Sequence, residues 1–70
     1  MTIDKIVKSI RALLRITQEE LAHHLNISFS TINRWENGHT VPSKLAKMKL
    51  IEYCIQKEVE NEVIIELQKL

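Results

Sequence analysis

With Cys54 as its one cysteine, the chain cannot close an internal disulfide, and a zinc site built on paired cysteines is excluded. A reducing compartment suits such a protein, and a lone cysteine in an apolar helical stretch is expected to be a small buried group. One glycine and one proline, Gly38 and Pro42, leave few places for loops and no glycine-rich cradle for a phosphate. Aromatics are scarce, with one each of Phe, Trp and Tyr. No apolar run approaches the roughly 20 residues of a membrane span, and Met1 to Arg15 carries Asp4 in an amphipathic pattern, not a signal peptide's apolar core. No Ser-His-Asp or Cys-His set is present, so no catalysis is expected. His23 and His24 are neighbours that point about 100° apart on a helix, and no third ligand joins them, so solvated surface is expected and no metal or cofactor.

What is present is a helical composition. Hydrophobic residues make up 44% and charged residues 27%, which fits one ordered all-α domain in 70 residues, soluble and cytoplasmic. The net charge of +1 hides an uneven distribution. Residues 1–57 hold nine Lys/Arg against five Asp/Glu, whereas residues 58–70 hold one Lys against four Glu. A basic body and an acidic tail result, and the body is the part suited to face a polyanion. Ile3, Ile6, Val7, Ile10, Leu13 and Leu14 follow helical spacing, with Thr2 as cap and Asp4 at the positive end of the dipole; this predicts a first helix over Ile3–Leu14.

The stretch Thr17 to Gly38 is the most structured text in the chain. Thr17 and Glu20 have the spacing of a capping box, Leu21, Ala22 and Leu25 give one apolar face, and Asn26 suits a left-handed stop; the second helix is predicted over Gln18–Leu25. Small Ala22 allows close helix approach, and Ile27 is an apolar plug in the turn. Ser28 then caps a third helix that Gly38 closes. Ile32 and Trp35 share its inward face, where the indole N–H needs a partner, while Phe29, Ser30, Asn33, Arg34 and Asn37 cluster on the other. Pro42 holds Val41 extended, and Thr40 or Ser43 caps helix four. On it Leu45, Met48, Ile51 and Ile55 fall on one face, which Ala46, Leu50, Tyr53 and Cys54 widen, so burial on more than one side is expected. From Glu58 onward Val59, Val63, Ile64, Leu67 and Leu70 form a stripe; a fifth helix is predicted, with a strand as the alternative because Val59, Asn61 and Val63 alternate. The chain thus divides into residues 1–57, the helix-turn-helix domain, and residues 58–70, an amphipathic segment that could serve as a dimer surface.

Thr17-Gln18-Glu19-Glu20-Leu21-Ala22, the turn, and Ser28-Phe29-Ser30-Thr31-Ile32-Asn33-Arg34-Trp35-Glu36-Asn37-Gly38 followed by threonine and proline resemble the lambda-repressor-like (XRE/Cro) helix-turn-helix family. The resemblance covers roughly Ile6 to Ile55, departing mildly at Asn26, where the family often has glycine. It implies a compact five-helix lambda-repressor-like fold with the motif on helices two and three. It also implies an Arg11–Glu36 ion pair. The implied partner is double-stranded DNA, met in a prokaryotic nucleoid or through a phage-encoded protein. Phosphate contacts fall to Gln18, Ser28, Asn37 and His39, with Thr40 and Lys44 as weaker candidates; capping alone is the other role for Gln18 and Ser28. Base contacts fall to Phe29, Ser30, Asn33 and Arg34: Arg34 toward guanine or a phosphate, Asn33 toward adenine, and Phe29 against a thymine methyl unless it folds back on the core. Thr31 faces the neighbouring helix or a phosphate.

The expectation is therefore a repressor-like transcriptional regulator, binding as a homodimer to half-sites about 34–36 Å apart. The alternative is an antitoxin-like or anti-repressor-like interaction module whose Val59 to Leu70 segment engages a protein partner.

Overall fold

The computed structural model describes all of Met1–Leu70 and contains five helices: α1 (Ile3–Leu14), α2 (Gln18–Leu25), α3 (Phe29–Glu36), α4 (Lys44–Gln56) and α5 (Asn61–Gln68). The first two have the predicted bounds, and the fifth segment is helical, without strand. The α1 helix packs on α3 and α5, α2 on α3 and α4, and α4 on α5, so the five surround one core. No helix is long and apolar enough to cross a membrane.

Four of the helices stop in the same way. The N–H of Ile16 bonds Arg11 O at 3.1 Å, that of Ile27 bonds Ala22 O at 3.0 Å, that of His39 bonds Arg34 O at 3.0 Å and that of Val59 bonds Cys54 O at 2.9 Å. The residue before each donor is left-handed: Arg15 at φ 56°, Asn26 at 56°, Gly38 at 72° and Glu58 at 57°. This closure satisfies orphan carbonyls and normally sets an apolar residue against the helix it ends. Ile16 and Ile27 pack on the core in that position and Val59 is buried in it. At the end of α3 the position belongs to exposed His39 instead. Helix starts are equally local. Thr17 accepts from Glu20 N–H at 3.0 Å while Glu20 accepts from Thr17 N–H at 2.9 Å, and Ser28 and Ser43 cap α3 and α4. Thr2 departs from expectation, since its side chain makes no capping bond to α1.

The core comprises Ile3, Ile6, Val7 and Ile10 of α1, Leu21, Ala22 and Leu25 of α2, Ile32 and Trp35 of α3, Leu50, Tyr53 and Cys54 of α4, and Val59, Val63, Ile64 and Leu67. Three expectations need correction. Leu13 is exposed; at 100° per residue it lies about 70° from the centre of the buried α1 stripe, at its edge in the last turn. On α4 burial is one-sided where more than one side was expected: Leu50, Tyr53 and Cys54 are buried, while Leu45 (65% exposed), Met48 (50%) and Ile55 (59%) point outward. The helix is apolar on two sides, and α2 and α5 cover just one of them. Lastly, the Trp35 indole N–H has no protein partner. No fully buried side-chain polar atom is unpaired, so that N–H lies at the small edge of the ring that reaches solvent. The stripe of the C-terminal segment is used within the chain, leaving Ile65 and Leu70 as its exposed apolar residues.

Candidate nucleic-acid interface

The α3 helix is held from behind on both apolar and ionic contacts. Ile32 and Trp35 fill the core, and Glu36, the one buried charged residue, receives Arg11 Nε at 2.5 Å and Arg11 Nη2 at 2.7 Å. The expected Arg11–Glu36 pair is therefore formed, and it ties α1 to the end of α3. Arg11 Nη1 also donates to Ile16 O at 3.3 Å, so the same guanidinium braces the entry to the motif. Burial raises the Glu36 pKa, but hydrogen bonds from Arg11 and Gln18, with the charges of Arg11 and Lys8, more than offset this and hold it below its ordinary 4.5. The carboxylate stays ionised at neutral pH.

The opposite face is open. Ser30, Arg34 and Asn37 are exposed, and Phe29 is 48% exposed and stands apart from the core, so the fold-back alternative is set aside. Phe29 borders an open depression with Arg11, Ile16, Thr17, Gln18 and Glu19, at the junction of the α2 N-terminus and the α3 start. Both helix starts leave their first backbone N–H groups without intrahelical partners. Ser28 is occupied as a cap and its hydroxyl also meets Thr31 Oγ1 at 2.7 Å and Ser30 Oγ at 3.3 Å. Thr31 is half-buried beside that cap. His39, Thr40 and Lys44 follow α3 on the exposed surface.

Two predicted residues are not free. Gln18 and Asn33 are half-buried, and Asn33 Nδ2 donates to Gln18 Oε1 at 3.3 Å. Asn37 Nδ2 in turn donates to Asn33 Oδ1 at 3.0 Å. The sequence offers one signal for the second bond, the i, i+4 spacing of two asparagines, but none for the first. The two histidines of α2 are exposed, and His24 stacks on Tyr53 with centroids 5.4 Å apart, a packing contact with α4.

The architecture, a capped helix, a left-handed turn and a second helix presenting a polar face, agrees with the match of a helix-turn-helix family model to residues 7–54. The chain belongs to that family. It carries a DNA-binding helix-turn-helix of the XRE/lambda-repressor-like type, with α2 and α3 as its two helices. A type II methyltransferase, M1.ScrFI of Lactococcus lactis subsp. cremoris, is similar to it: 37% identical over 59 residues, covering 80% of this chain and 15% of the methyltransferase. The helix-turn-helix protein thus spans a small part of that relative's length. No solved structure matches it.

Proposed function

We propose that this helix-turn-helix protein binds duplex DNA sequence-specifically, reading the major groove with α3, and regulates transcription in a repressor-like manner by occupancy rather than catalysis. The observation that carries the reading is the division of α3: Ile32, Trp35 and Glu36 are buried behind it while Ser30 and Arg34 stand free in front. Arg34 presents a fork that suits guanine O6 and N7, Ser30 reaches a neighbouring base edge, and exposed Phe29 suits a thymine methyl. Gln18, Ser28, Asn37 and His39 meet phosphates, with Thr31, Thr40 and Lys44 at the margins. The exposure of His39 where three equivalent turns carry an apolar anchor supports its part in this. The site of action is the nucleoid of a prokaryote.

Selection of bound duplexes from a random library tests the reading. A wild-type protein that enriches a defined sequence supports it, and uniform recovery overturns it. On the selected duplex, Arg34→Ala should relax preference at one base pair by about 1–3 kcal/mol, whereas Gln18→Ala should weaken all sequences alike. A palindromic sequence supports a homodimer. The outward α4 residues Leu45, Met48 and Ile55 favour such an interface, and the apolar surface continues past Val41 and Pro42 to Leu70. The same surface favours a second reading, an antitoxin-like interaction module; Met48→Lys that leaves a dimer and its DNA affinity intact would move the argument toward that reading.

A further inference from the structure

Three side-chain amides form one line across the motif. Asn37 donates to Asn33 and Asn33 donates to Gln18. The Gln18 oxygen faces α3 and accepts there. That oxygen takes an N–H from Asn33, whose own oxygen then takes one from Asn37. The line joins the first residue of α2 to the residue that ends α3.

A bidentate adenine contact uses an amide's oxygen and one of its N–H groups side by side. In Asn33 these are directed at Asn37 and Gln18, and the residue is half-buried where Ser30, Arg34 and Asn37 are exposed. Both polar atoms are thus engaged within the protein, and a base edge could use only the remaining N–H and lone pair of a half-buried amide whose plane the two bonds already fix. We infer that Asn33 is a positioning residue, not a base reader: it ties Gln18 to Asn37, so that the two amides meeting phosphates at opposite ends of the motif act as one unit. The inference rests on the DNA-binding reading for its consequence, and on the free protein for its geometry.

The experiment uses the full chain in two measurements. In nitrogen-15 spectra of the free protein, Asn33→Ala should shift the side-chain NH2 signals of Gln18 and Asn37 while backbone signals of α4 and α5 stay in place. On the selected duplex and its single-base-pair variants, Asn33→Ala should weaken binding about three- to tenfold on all of them, the worth of one hydrogen bond. In a Gln18→Ala background the same change should cost under about twofold, because residues in one network are non-additive. Asn33→Ser, which keeps a polar group but cannot span both partners, is measured in parallel and should give the same pattern. Relaxed preference at a single base pair, full additivity with Gln18→Ala, or unmoved Gln18 and Asn37 amide signals would each overturn the assignment. Failure of the wild type to enrich any sequence would refute the DNA-binding reading, while the amide signals would still decide whether the line exists.

Discussion

Replacing Arg11 with alanine strands a carboxylate. Glu36 is 4% exposed and takes two hydrogen bonds from the guanidinium, so the variant leaves an anion in a site that water barely reaches. Breaking a buried pair from one side costs about 3–5 kcal/mol. One feature places this pair at the lower end: the Arg11 side chain is 25% exposed. A loss of about 3 kcal/mol compares with a total stability of roughly 3.5–10 kcal/mol for a domain of this length, and it should lower Tm by roughly 12–24 °C. Urea titration followed by the fluorescence of Trp35, the sole tryptophan and 2% exposed, measures it directly. The paired replacement Arg11→Met with Glu36→Leu removes both charges at similar volume and should recover most of the loss. An Arg11→Ala midpoint within about 0.5 kcal/mol of wild type, at unchanged slope, would refute the claim that a buried anion holds α3 to α1.

Acid should expose the same pair. With its folded pKa below the ordinary 4.5, Glu36 contributes stability that is present above that value and lost as the pH falls through the folded one. Asp4, held low chiefly by the Thr2 hydroxyl, acts in the same direction. Urea midpoints from pH 7 to pH 3 should therefore drop at the acid end, with a flatter acid limb in Glu36→Gln. Cys54 is fully buried and its thiol is pushed up to about 11 by that burial, so a thiol reagent at pH 8 should react only as fast as the chain opens. Immediate labelling of the native protein would contradict its place in the core. Glu58 holds φ 57° without the freedom of glycine, and Glu58→Gly should raise stability by roughly 0.5–1 kcal/mol; a lower urea midpoint would show that no strain is relieved there.

Local signals were legible in the sequence because they act within four residues. The Thr17–Glu20 capping box, the Ser28 and Ser43 caps and the left-handed Asn26 depend on short spacings, and each appears in the structure where its residues imply it. The Arg11–Glu36 pair is 25 residues long in sequence, and only the family resemblance pointed to it. The α4 error has a different origin. A helix with Leu45, Met48 and Ile55 on one side and Leu50, Tyr53 and Cys54 on the other satisfies helical periodicity twice, and periodicity cannot choose between them. The choice is made by α2 and α5, which pack on α4, and the side that ends up buried carries Leu50, Tyr53 and Cys54. At the site, exposure of Ser30 and Arg34 followed from the inward pull of Ile32 and Trp35. The bond between Asn33 and Gln18 did not, since it joins two helices through amides 15 residues apart in sequence.

The two faces of α3 answer to different demands, and this sets how the protein tolerates change. Stability resides behind the helix, in Ile32, Trp35 and the Arg11–Glu36 pair, together with the turn that Gly38 makes at φ 72°. The Arg34 side chain bonds none of these, its part in the turn being its backbone carbonyl, and the Ser30 hydroxyl meets only Ser28 Oγ at 3.3 Å, so Ser30→Ala and Arg34→Ala should shift the urea midpoint by less than about 0.5 kcal/mol, as surface changes do. Asn33 lies between the two sets, bonded to the supporting network on one side and to Asn37 on the other. Its replacement should therefore disturb folding and binding together, by about 1 kcal/mol in the urea midpoint, the net worth of a part-buried hydrogen bond. If Arg34→Ala destabilised the free protein as much as Asn33→Ala, the front of α3 would also be carrying the fold, and a surface free to vary with its DNA target could not be assigned to it.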